Sequence, residues 1–325
     1  EISLGLVGSE MCIRDRFIHF GINTFHDVEW SDGSFPVETY APTEIDARQW
    51  VKTAKDAGMK YIILVAKHHE GFCLWDSKYT DYDVASSGNK TNVIEAVARE
   101  CKKQGMKLGL YYSLWDRKVN ADVDNVESDR EYNTYMLKQL DELMDITEKY
   151  TKIVEFWFDG SWVKPGYRWP VEGIYRTIKS REPQCQIGIN WTIGEDADPH
   201  NPNAPEKSYK IIPEEQKEGD PIRYFPSDFR LGDPLLPANP DPKVFTHNGK
   251  RYYMPFESTV CLSKRWFYHT TDKEYKSIDE LVKLYQRATA QDNILILNLP
   301  PNREGKMRQK DVDLLIELRK HIRKL

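Results

Sequence analysis

From Phe17 onward, short apolar runs alternate with segments of helical period, and no other feature restricts the possible folds as strongly. A strand, an amphipathic helix and a further strand pair in parallel, because the helix returns the chain across the sheet and buries its apolar stripe there. The runs are FIHFGI, YIILVA, KLGLYYS, VEFWFDG, CQIGIN, RYYMPFE and NILILNL. Between the first two, Ile45, Trp50, Val51 and Ala54 make a stripe after Thr43 that Gly58 closes; Val93, Ile94, Val97 and Ala98 make another, ending at Gly105. Residues 132–150 repeat Leu137, Leu140, Leu143 and Ile146, and residues 278–291 repeat Leu281, Val282 and Tyr285, at three- and four-residue steps. The pattern predicts an α/β fold, a TIM-like barrel of the (β/α)8 type, which accommodates a chain of 325 residues as one domain. Residues 192–250 break the rhythm with many Pro, Asp and Asn, as expected of long loops on one barrel face.

Lys and Arg number 46 against 51 Asp and Glu, so the net charge of −5 offers no broad positive field for nucleic acid. No apolar run reaches the roughly 18 residues of a membrane span. The five cysteines (12, 73, 101, 185, 261) are scattered without a CxxC pair, which signals neither a disulfide framework nor a zinc site. Nine Trp and eighteen Tyr are plentiful, and rings with an apolar face and a polar tip suit amphipathic ligands such as sugars. Residues 1–16 show no strand or helix period and are set aside as a foreign or disordered lead, leaving 17–325 as the barrel.

Barrel sites are built at the carboxyl ends of strands. Here those ends carry His19, His68, His69, Tyr112, Asp159, Asn190, Glu257 and Asn298. Asp159 follows five apolar or aromatic-flanked positions and precedes Gly160, where backbone can approach a ligand; its plainer role would be a helix cap. Glu257, about 100 residues on, would complete the carboxyl pair that glycosidic cleavage requires, or is a surface Glu after a strand. His68 and His69 point to opposite faces if the strand stays straight, so a shared metal needs a bend, and hydrogen bonding to hydroxyls suits them better. Trp30, Trp75 and Trp266 could wall an apolar sugar face.

Taken in order, FIHFG, EW, KHHEGFCLW, LYYS, WFDG and WFYH resemble the family-29 glycoside hydrolases, the α-L-fucosidases, from Phe17 to about Arg303. The resemblance implies a retaining exo-fucosidase acting on fucosylated oligosaccharides or glycoconjugates, with no cofactor and no metal. It implies Asp159 as nucleophile and Glu257, just before WFYH, as acid/base in the branch preferring α-1,3 and α-1,4 linkages. It places His19, Glu29, Trp30, His68, His69 and Trp157, with Tyr112 and Trp266, around the sugar. The same likeness favours a periplasmic or secreted location, which the residues themselves leave open. Glu70 stands where that branch usually has Asp, and SKR where it usually has Arg-Pro-Gly, which leaves aglycone preference open. A C-terminal β-sandwich common in such proteins is expected to be missing, as the chain stops at Leu325. Two other readings compete: an inactive fucose-binding barrel, and a metal-dependent hydrolase using His19, His68 and His69.

Overall fold

The computed structural model describes residues 15–119, 126–164, 167–195 and 210–324. Seven strands form one parallel sheet: β1 (Asp15–Ile18), β2 (Tyr61–Lys67), β3 (Lys107–Ser113), β4 (Ile153–Asp159), β5 (Gln186–Ile189), β8 (Glu257–Cys261) and β9 (Ile294–Asn298), ordered β5-β4-β3-β2-β1-β9-β8. A two-stranded antiparallel hairpin, β6 (Val244–His247) with β7 (Lys250–Tyr253), stands apart from it.

The eighth wall position is filled by a short irregular segment. Asp228 N–H donates to the Ile187 carbonyl of β5 (2.7 Å), Arg230 N–H to Pro255 (2.8 Å), and Glu257 N–H to the Arg230 carbonyl (3.1 Å). Residues 228–231 thus bridge β5 and β8 and close a TIM-like barrel. Their alternation fits that role, since Phe229 and Leu231 join Phe17, Ile63, Val65, Tyr111, Trp157, Ile294 and Ile296 in the interior cluster. The intervening positions of the ladder strands, among them Ile62, Leu64, Leu110, Phe156, Phe158 and Ile187, face the helices in the larger outer core. This is the division of a strand's two faces between barrel lumen and helical layer.

Helices α1 (Ala47–Asp56), α2 (Val93–Gln104), α3 (Val126–Thr147), α4 (Val171–Arg181), α5 (Ile278–Thr289) and α6 (Gln309–Ile322) make that layer. Local chemistry sets their ends. Asp46 caps α1 by accepting from Gln49 N–H; Asn92 caps α2, which Gly105 ends in the left-handed conformation. Ser277 and Glu280 form a capping box on α5.

Three expectations need correction. Asp15 and Arg16 belong to β1, not to an excluded lead; Arg16 is fully buried, its guanidinium donating to the Trp50 carbonyl (2.9 Å). Residues 1–14 lie outside the described residues. The run RYYMPFE is not one barrel strand: its first three residues end the hairpin arm β7, Met254–Phe256 turn the corner, and Glu257 begins β8 instead of ending a barrel strand. Trp75 is core, completely buried with its indole N–H on Glu142 (3.0 Å).

Four cysteines, 73, 101, 185 and 261, are buried free thiols. No described helix is long and apolar enough to cross a membrane.

Candidate active site

At the carboxyl ends of the strands a cavity of about 390 Å³ opens, near the lower end of the size range for small-molecule sites. Asp159, the last residue of β4, sits in its wall. The next residue is Gly160 at φ 78°, where a Cβ would come within 2.8 Å of the Trp115 side chain, so the chain can turn there only without one. Three donors hold the carboxylate. Tyr111 O–H reaches Oδ2 (2.9 Å), while Asn190 Nδ2 (3.0 Å) and Trp162 Nε1 (3.2 Å) reach Oδ1.

Burial favours the neutral acid, yet the Asp159 pKa lies below the usual 3.8 because His69, Asn190, the Gly160 N–H and Tyr111 together outweigh it. Burial and His68 push the His69 pKa well below 6.5, while Asp159, 3.6 Å from its Nε2, pulls it back up. The attraction to His69 and the Asn190, Gly160 and Tyr111 donors act together on Asp159. An ionised, oriented carboxylate in such a cavity can serve as a nucleophile or stabilise a cation.

Imidazoles face it in a defined tautomer. Ser113 O–H donates to the Trp115 carbonyl (2.6 Å), so its oxygen accepts from His69 Nδ1–H (2.7 Å) and His69 Nε2 carries the lone pair. Asn298 Nδ2 donates to the Trp266 carbonyl (2.8 Å), so its Oδ1 accepts from His19 Nδ1–H (2.7 Å) and His19 Nε2 is likewise an acceptor. Burial pushes the His19 pKa down to about 3, and His68 pushes the same way. Both rings are neutral acceptors suited to sugar hydroxyls. Glu29 accepts from the Trp266 N–H (3.0 Å), and burial raises its pKa against that bond.

The strand containing His68 and His69 does not stay straight. β2 ends at Lys67 and the chain turns through Glu70, with Gly71 N–H returning to the His68 carbonyl (3.0 Å), so both rings line the cavity with centroids 4.1 Å apart. The turn is braced from below by the buried pair Lys67–Asp116 (2.7 Å) and by Arg117 N–H on the His69 carbonyl (2.8 Å). Among the described residues no three His, Cys, Asp or Glu side chains gather as metal ligands would.

His19, Glu29, Trp30, His68, His69, Trp157, Asp159 and Trp266 all line the cavity, as does Asn190. Two expected residues do not. Tyr112 faces the helices, donating to Gln139 of α3 (2.6 Å) under the Lys67 ammonium, and its neighbour Tyr111 takes the cavity position. Register explains this: Ser113 pairs with Asp159, so every second residue back from Ser113 shares its face. Glu257 lies in the barrel base. It pairs with Ile294, the first residue of β9, and its Oε1 meets Tyr61 O–H (3.4 Å), which also donates to Glu155 (2.7 Å). Thr259, two residues nearer the mouth on the same strand face, is what reaches the cavity. From that depth Glu257 cannot protonate a leaving group over Asp159, and the acid/base assignment to it is withdrawn.

Residues the sequence did not announce also line the cavity: Trp162, Trp191, Lys210, Asp233 and Thr259. Asp233 follows the closing segment; its backbone N–H donates to Asn190 Oδ1 (3.0 Å) and its carboxyl meets the Thr259 hydroxyl. Burial, and the charge of Asp159, push its pKa up to about 8 despite Thr259.

A TIM-like barrel that gathers carboxylates, imidazoles, tyrosine and tryptophan at its strand ends has the groups that carbohydrate binding and cleavage use. The chain belongs to the alpha-L-fucosidase family, whose sequence pattern it matches over residues 18–324. It is similar to alpha-L-fucosidase 1 of Arabidopsis thaliana, 31% identical over 317 residues that make 93% of this chain and 56% of the plant protein. The chain thus spans about half the length of that relative. Among solved structures, alpha-L-fucosidase isoenzyme 1 from Paenibacillus thiaminolyticus matches with a TM-score of 0.73 and 26% identity, over 96% of this chain and 74% of that one. SpGH29 matches with a TM-score of 0.72 and 28% identity, over 95% and 66%.

Proposed function

We propose that the protein is a retaining exo-α-L-fucosidase that removes terminal fucose from oligosaccharides or glycoconjugates, with α-1,3 and α-1,4 linkages as its expected targets. Asp159 carries the reading: it is ionised, held by three donors, and opens onto a cavity sized for one sugar. In the first half-reaction Asp159 attacks the anomeric carbon as the glycosidic bond breaks, and a carboxylic acid protonates the departing oxygen. In the second, that group takes a proton from water, which displaces Asp159 with net retention. His19 and His69 accept hydrogen bonds from sugar hydroxyls through Nε2, Glu29 accepts from a further hydroxyl, and Trp157 and Trp266 cover the apolar side of a deoxy sugar.

The proton donor stands nearer the mouth than Glu257. Asp233 meets that requirement, since it lines the cavity and burial raises its pKa to about 8; Glu206, which lies outside the described residues, is a second candidate from sequence alone. Azide rescue of the Asp233→Asn and Glu206→Ala variants on an activated aryl fucoside separates them, because loss of the acid/base, unlike loss of the nucleophile, gives a fucosyl azide of retained configuration.

A 2-fluoro fucosyl fluoride should leave one fucosyl ester on Asp159, visible by mass spectrometry, and Asp159→Ala should remain folded without turnover. Labelling on another residue, or full activity in that variant, ends the assignment. The competing sugar-binding module would bind fucose without being labelled.

A further inference from the structure

We propose that the cavity mouth holds a leaving-group subsite for a sugar bearing an anionic substituent, a sulfate or a carboxylate, with Trp162 and Trp191 as its platform and Lys210 as its anion-binding group. The inference rests on the fucosidase reading above. Fucose fills a cavity closed below by the barrel interior, so whatever is attached to its anomeric oxygen lies across the rim. That rim is aromatic: Trp30, 48% exposed, tilts against Trp162 with centroids 5.5 Å apart. Lys210 lies between two of these rings, its Nζ 3.9 Å from the Trp191 centroid and 5.9 Å from that of Trp162.

Three observations make this a built site. Trp191 has φ 61°, a left-handed backbone that is strained for a bulky residue. It is held there beside the catalytic group, its N–H donating to the Asn190 side chain (2.9 Å) that also binds Asp159. Lys210 is fixed by the bridge to Gly194, continued by Ile211 N–H on the Ile193 carbonyl (3.0 Å). Its ammonium makes no ion pair among the described residues; burial lowers its pKa, and Arg223 adds to the local positive charge. Ring faces offset part of the desolvation of such a cation. A neutral hydroxyl leaves the charge uncompensated, whereas an anion on the second sugar neutralises it and adds a charge-assisted hydrogen bond.

The test compares two fucosyl disaccharides that differ only in a 6-O-sulfate on the second sugar, at low ionic strength. The native chain should show kcat/KM about tenfold higher for the sulfated one, with the ratio falling toward one in 0.5 M NaCl. In Lys210→Met the ratio should fall to about one, and Lys210→Arg should restore most of it. Equal rates for both disaccharides in the native chain, or an unchanged ratio in Lys210→Met, overturn the proposal. Should no fucoside be turned over at all, the fucosidase reading fails separately. The subsite is then read by tryptophan-fluorescence titration with the same pair, and equal affinities overturn it.

Discussion

Replacing Glu155 with Gln probes the charge state of the barrel base. Glu155 points into the lumen from β4, where Tyr61 O–H donates to it and Glu257 shares a hydrogen bond with it. Burial pushes its pKa from 4.5 up to about 7, although both hydrogen bonds pull the other way. The fold therefore keeps a proton that the unfolded chain releases near pH 4.5. The sign follows: this stabilisation is complete below pH 4.5, declines as pH rises through about 7, and is gone above it. A change of that size corresponds to roughly 3 kcal/mol, or a melting shift of roughly 5 °C for a chain this long. Calorimetric melts at pH 5 and pH 8 measure it. Glu155→Gln, which cannot titrate, should shrink the pH dependence by about that amount. Glu257→Gln should act likewise, altering the melt and leaving the pH–rate profile in place. An unchanged pH dependence in both variants refutes the shared proton, and an azide-rescued collapse of turnover in Glu257→Gln refutes the placement of Glu257 away from the chemistry.

Tyr111→Phe removes one donor from Asp159, a bond to a charged acceptor worth about 1.5–3 kcal/mol. The acid limb of kcat/KM, which follows Asp159 protonation as pH falls, should move up by about one pH unit or more; an unmoved limb contradicts the hydrogen bond. Arg230→Met removes one of the two cations on buried Asp241 (2.8 Å each), Lys243 being the other, and leaves the Gln216 side chain without its guanidinium donor. Such a loss should cost about 1–3 kcal/mol, and a denaturant midpoint within error of the native value would argue against it.

Much of the barrel was legible because its ladder strands are near-continuous apolar runs, as parallel strands buried on both faces must be. β2, β3, β4 and β9 fall within a residue or so of their expected positions. Asp159 was legible for the same reason: a carboxylate ending such a run has nowhere to point but the mouth. What a run does not reveal is parity. In LYYS both tyrosines satisfy the pattern, and only pairing of Ser113 with Asp159 decides that Tyr111 faces the lumen. Glu257 failed differently, because β7 and β8 are separated by only Met254, Pro255 and Phe256, and the apolar pattern runs through that corner unbroken. Asp233, Trp191 and Lys210 come from stretches without period, where tertiary contacts alone fix direction.

The short closing segment has a consequence for how this enzyme family can diversify. Asp159, Tyr111, His19 and His69 are borne by strands, or turns directly after them, of one continuous ladder, while Trp191, Lys210 and Asp233 ride on or beside the excursion that returns to complete the wall at 228–231. Grafting a different excursion between β5 and β8 would change what the mouth selects and leave Asp159 on β4 and Tyr111 on β3 in register. Asn190 and Asp233, at the two ends of that excursion, are the positions such a graft has to keep.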